Sequence, residues 1–115
     1  MKSQETKTKN DMDEIIRRIV EVARPKQVIL FGSAARGMMS PYSDLDFLVV
    51  KAGRYNSRKV AGAIYLRMRG IAQAIDLFVV TPKQVEEYRN SPFSVVYPAM
   101  REGKVVYERK KTIAG

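Results

Sequence analysis

This chain of 115 residues contains no cysteine and no histidine. Without cysteine there is no disulfide framework and no thiolate chemistry. Without histidine, the usual general base and the usual zinc ligand are both missing. Acid–base work then falls to carboxylate, lysine or tyrosine, and any metal site must be rich in oxygen, which selects magnesium, manganese or calcium. No apolar run approaches the roughly 20 residues that span a bilayer. The start, Met1-Lys2-Ser3-Gln4-Glu5, stays polar and lacks the apolar centre of a signal peptide. A soluble, cytoplasmic protein with no membrane association is expected.

Positive charge, by contrast, is plentiful, with a net charge of +9. Part of it lies in the flanks, at Lys2, Lys7, Lys9, Arg109, Lys110 and Lys111. A second cluster, Lys51, Arg54, Arg58, Lys59, Arg67 and Arg69, sits mid-chain and would suit a triphosphate, RNA or an acidic protein equally well. Charge alone therefore leaves direct nucleic-acid binding open without favouring it, and solvated surface is the ordinary fate of such residues.

The length suits one domain with a single core. Residues 1–10 read as a polar, lysine-rich disordered tail, 11–108 as the domain, and 109–115 as a basic C-terminal tail. Asp11 with Glu14 resembles a capping box, and Ile15, Ile16, Ile19, Val20 and Ala23 recur at helical spacing up to Pro25. Residues 28–31, 44–50 and 74–80 read as strands. Between the first two, residues 32–37 predict a tight turn into a short helix, and Asn56 or Ser57 caps a helix running to about Gly70. Thr81-Pro82 with Gln84 marks a further helix start. A short helix is expected between Ser94 and Glu102, stopped by Gly103, then an edge strand over 104–108. Helices alternating with strands define an α/β class.

Two features carry chemistry. On a strand, Asp44 and Asp46 share one face while Leu45, Phe47 and Val49 share the other; Asp76 likewise lies opposite Ile75 and Leu77. If the two strands are neighbours, three carboxylates converge, and such a cluster calls for divalent cations. Turn formation explains Ser43 and Asp44 well, but it explains Asp46 and Asp76, set within apolar runs, poorly. The second feature is Phe31-Gly32-Ser33-Ala34-Ala35-Arg36-Gly37. Glycine permits a sharp turn and close approach to a ligand. Ser33 at a helix start presents a hydroxyl and free N–H groups to phosphate, and Arg36 can grip phosphate oxygens in a fork. A simple capped helix would account for Gly-Ser alone; the Asp-x-Asp pair beginning eleven residues after Ser33 is what makes the combination specific.

Gly32-Ser33-Ala34-Ala35-Arg36-Gly37, then Ser43-Asp44-Leu45-Asp46 and later Asp76, resembles the minimal nucleotidyltransferases of the DNA polymerase beta-like superfamily. The likeness continues through 79–85 and 99–107, so it covers about residues 12–108. It implies a small mixed β-sheet with helices packed mainly on one face. Asp44, Asp46 and Asp76 would hold Mg2+, with Mn2+ as a substitute, and Asp76 would help deprotonate the attacking hydroxyl. Gly32, Ser33 and Arg36 would hold the phosphates of ATP. Many members of this group resemble antitoxins paired with HEPN-domain ribonuclease toxins, which implies AMP transfer to a toxin tyrosine; a homodimer is also open. Met38-Met39 depart from the polar or acidic residues of relatives, and packing is their ordinary explanation. Two other classes stand beside this one: a binding-only antitoxin or accessory protein, and a nucleotidyltransferase acting on RNA or a small molecule.

Overall fold

The computed structural model describes residues 4–35, 37 and 44–110, without the side chains of 4–10. The elements run α1 (Gln4–Ala23), β1 (Gln27–Phe31), β2 (Leu45–Val50), α2 (Ser57–Leu66), β3 (Ile75–Val80), α3 (Pro82–Tyr88), α4 (Val96–Glu102) and β4 (Lys104–Glu108). The strands form one mixed sheet in the order β3-β2-β1-β4, with β2 and β3 parallel and the other pairs antiparallel.

Alternation along the strands sorts their side chains onto two cores. On one face Val28, Leu30, Leu45, Phe47 and Val49 pack with Ile15, Ile19 and Ala23 of α1 and Ile64 of α2. On the other, Ile29, Phe31, Leu48 and Val50 pack with Val85 of α3 and with Val96 and Ala99 of α4. The two longer helices thus share one face, while the two short ones cover part of the second. Strands buried on both faces read as nearly continuous apolar runs, which is what 28–31 and 47–50 are.

Local signals set most of the boundaries. The Asn56 side chain accepts from the Lys59 amide at 3.1 Å and starts α2. Thr81 and Gln84 form a reciprocal capping box at 3.1 and 2.9 Å, with Pro82 in the first turn. Pro98 falls in the first turn of α4, where its missing N–H is tolerated, and Gly103 ends that helix. The helix α1 ends at Ala23, and Arg24 at φ 48° turns the chain into Pro25. The Lys51 ammonium donates to the Ala23 carbonyl at 2.7 Å, so this cation caps a helix end and is not free surface charge.

Two expectations need correction here. The first helix begins at Gln4, not at Asp11, so most of the segment expected as a disordered tail is helical; its Gln, Glu and Lys residues are good helix formers, and Asp11 is an interior position. Ser33, Ala34, Ala35 and Gly37 lie in turns, closed by the Gly37 amide on the Ala34 carbonyl at 3.2 Å, so the short helix expected there is not formed among the described residues.

Because the Thr81 capping box satisfies two orphan donors at once, Thr81→Ala should lower stability by about 1 kcal/mol. Thermal unfolding followed by circular dichroism should show a midpoint lower by roughly 4–8 °C.

Candidate functional site

The parallel pairing of β2 and β3 places Asp46 directly opposite Asp76, and the antiparallel pairing of β1 and β2 places Phe31 opposite Asp46. Directly paired residues point to the same face. One row across the sheet therefore reads Phe31, Asp46, Asp76, near the ends of the strands where α3 and α4 give way. The next row holds Ile29, Leu48 and Phe78. Phe31 and Phe78 meet across β2 with ring centroids 5.8 Å apart and the planes tilted by 51°. They mark the edge of the apolar core against which Asp46 stands.

Gly32 follows β1 at φ +78°, a backbone conformation that favours glycine. A Cβ placed there would lie 2.5 Å from Asp46 Oδ2. Any side chain would displace the carboxylate, so the glycine both makes the turn and makes room for the acid. Ala34 and Ala35 are buried and anchor the turn to the core beside Leu45 and Phe47, and Ser33 is left half-buried.

The electrostatics follow from this crowding. The Asp46 pKa is raised above its ordinary value of 3.8, first by desolvation, then by the charges of Asp76 and Asp44 and a side-chain hydrogen bond with Asp76. Asp44 and Asp76 are both exposed. The fold therefore brings Asp46 and Asp76 into contact and sets Asp44 close enough to act on Asp46 through its charge. Among the described residues no three acidic or other ligating side chains already stand in a metal-holding arrangement. Asp44 adjoins the segment 38–43, which lies outside the described residues, as does Arg36. The expectation for Arg36, and those for Met38 and Met39, therefore fall outside them.

The donor set is nonetheless of one kind. The three groups supply only carboxylate oxygen, and their mutual repulsion falls when a divalent cation neutralises them. From the sequence, Tyr65, like Tyr42 and Tyr55, reads as a packing aromatic that could also stack on a base. Its hydroxyl accepts from the Leu77 amide at 3.0 Å and donates to the Ile75 carbonyl at 3.5 Å, on either side of Asp76. Tyr55, another aromatic that could stack on a base, instead donates to the Lys51 carbonyl at 2.8 Å. A separate groove of about 820 Å³ on the sheet's α3 side is lined by Lys26, Val50, Val85, Arg89 and Arg109, at the far end of β2 from the acids.

Residues 13–112 match the family Polymerase beta, Nucleotidyltransferase, and the chain belongs to that family. No curated protein matches it. A Sulfolobus solfataricus protein provisionally described as a nucleotidyltransferase superposes with a TM-score of 0.59 at 20% identity, over 87% of this chain and 79% of that one. A chain from a toxin–antitoxin structure with AMP-PNP superposes at 0.58 and 19% identity, over 84% of this chain and 73% of that one. The fold is that of nucleotidyltransferases, and no described helix is long and apolar enough to cross a membrane.

The raised pKa of Asp46 carries a stability consequence whose sign is fixed. The folded state holds this proton more tightly than the unfolded chain does, so the contribution is present at low pH. It is lost as pH rises from 3.8 through the elevated value. In metal-free buffer at neutral pH, Asp46→Asn should therefore be more stable than the parent by about 0.5–1 kcal/mol. Chemical denaturation at a series of pH values should show the advantage shrinking as the solution is acidified.

Proposed function

We propose that this protein transfers AMP from ATP, with Mg2+, to a hydroxyl group of a partner protein, and that the acceptor is a tyrosine of a HEPN-domain toxin. The observation that carries the reading is the Asp46–Asp76 contact beside the Gly32 turn, in a chain of the polymerase beta nucleotidyltransferase family. The toxin–antitoxin neighbour with AMP-PNP supports an adenine nucleotide as donor and a toxin as partner.

Asp44 and Asp46 would hold the divalent ion, with Asp76 sharing it; a bound ion supplies charge neutralisation on the phosphates and acidifies the attacking hydroxyl. Ser33 and the Gly32 backbone would hold the β,γ-phosphates, with Arg36 in support. Asp76 is exposed and takes the proton of the acceptor hydroxyl. The acceptor oxygen forms its bond to the α-phosphorus as the bond from that phosphorus to the bridging oxygen of pyrophosphate breaks. Positioning and charge neutralisation would do most of the remaining work.

The test is intact mass of a HEPN-domain toxin co-expressed with this chain. The toxin should gain mass in steps of one AMP unit, and Asp44→Ala/Asp46→Ala should reduce the rate on the order of 10³-fold. An unmodified toxin that the double variant still silences would make the protein a binding-only antitoxin. Label transferred from ATP to RNA or to an aminoglycoside-type small molecule, with the toxin untouched, would assign a different acceptor.

A further inference from the structure

Asp76 stands on a strand that has only one neighbour among the described residues. In the order β3-β2-β1-β4, β3 is an edge, and its inner side is held by β2. In a strand the peptide groups of alternate residues point to opposite sides, so Ile75 and Leu77 turn their backbone groups outward while Ala74 and Asp76 turn theirs toward β2. The Leu45 amide on the Ala74 carbonyl at 3.0 Å fits this phase. Outward groups of an edge strand ordinarily face water or invite another chain. Here the Tyr65 hydroxyl occupies that side, bonded to the Leu77 amide at 3.0 Å and to the Ile75 carbonyl at 3.5 Å.

Tyr65 is itself fixed from behind. It is the penultimate residue of α2, and its neighbour Ile64 is fully buried in the core. The end of that helix is clamped by Arg18, whose Nη1 donates to the Arg67 and Arg69 carbonyls at 2.8 Å each. Glu14 holds Arg18 through its Nε at 2.7 Å, and the Arg17 and Arg18 bonds keep the Glu14 pKa near 2, so this support is intact across the neutral range. A continuous line of bonded groups therefore runs from α1 through the α2 terminus to the two peptide groups flanking Asp76.

We infer that Tyr65 is a positioning residue for the acid site: its hydroxyl fixes the edge strand on both sides of Asp76 and so sets where that carboxylate meets Asp46. The inference rests on the reading of the acids as the metal and nucleotide site. Outer groups that orient ligands in this way commonly change metal affinity or activity by 10–100-fold when removed.

The test compares Mn2+ affinity, measured by electron paramagnetic resonance of the free ion, with hydrogen exchange of the Leu77 amide. It uses the parent, Tyr65→Phe, Arg18→Gln and Asp46→Asn. Tyr65→Phe keeps the ring and loses the hydroxyl. It should weaken Mn2+ binding about tenfold, speed exchange at Leu77, and lower kcat for AMP transfer while KM for the acceptor holds. Arg18→Gln, which touches neither β3 nor the acids, should shift affinity the same way by a smaller factor. Tyr65→Phe with faster Leu77 exchange but parental Mn2+ affinity and kcat would overturn the proposal, reducing Tyr65 to a seal on a strand edge. If Tyr65→Phe does not fold, the Arg18→Gln affinity decides the same question. A parent chain that binds no Mn2+, or an Asp46→Asn chain that binds it as well as the parent, would overturn the metal reading and the positioning role with it.

Discussion

The parallel contact between β2 and β3 is the constraint on which the acid site depends. Antiparallel neighbours can be joined by a tight turn, whereas parallel strands require a long crossover. Residues 51–74 supply it, and α2 is the helix within it. Because the pairing sets Leu45 against Ile75 and runs in step to Val50 against Val80, Asp46 meets Asp76 with no residue to spare. A slip of one position would turn Asp76 onto the α1 and α2 face and bury a carboxylate among Leu45, Phe47 and Val49. Register is thus held by burial on both faces, and the geometry of the acids is inherited from it.

The same burial explains why the acids are found at one end of the sheet. On the α3 and α4 face, Leu48 and Val50 lie under apolar side chains, while the row containing Asp46 and Asp76 lies beyond them. Phe31 and Phe78 form the border. Asp46 sits against that border and is the acid that loses hydration; Asp44 and Asp76 keep theirs. The three carboxylates are therefore not equivalent. One is held in a partly apolar notch over Gly32, and the other two are exposed.

Much of this was legible in the residues. Strict alternation in 44–50 and 74–80 was enough to place Asp44, Asp46 and Asp76 on the side away from Leu45, Phe47 and Val49, because the period of a strand is two whatever its partners are. The Thr81–Gln84 box and the Asn56 cap were equally local and equally readable. What could not be read depended on partners distant in the chain. The order β3-β2-β1-β4 and the second helical layer arise from packing between elements. Lys51 looks like surface charge until the end of α1 is brought to it, and Tyr65 looks like a packing or stacking aromatic until β3 proves to be an edge. The segment after Gly32 differs for another reason: Gly-Ser followed by two alanines favours a helix start, but Ala34 and Ala35 are buried against the core and lie in turns.

Gly32 shows how the fold accommodates an unfavourable cluster. With any side chain there, Asp46 would be pushed off its position, so the positive φ and the missing Cβ serve one purpose, the entry of a carboxylate into a space that is partly dry. That space raises the energy of the ionised acid, and the neighbouring Asp76 and Asp44 raise it further. A domain of this size has only a modest margin of stability, so a standing repulsion of this kind is a measurable fraction of it. If, as proposed, a cation binds here, that cost is recovered, because anything that binds the folded state and not the unfolded one adds to stability in proportion to its affinity. On the reading proposed for this site, repulsion in the metal-free protein and affinity for a metal–nucleotide complex are the same interaction seen with and without its counter-charge. The ladder between β2 and β3 keeps that repulsion from being relieved by the strands moving apart, and on the same inference the Tyr65 hydroxyl supports β3 from its outer side.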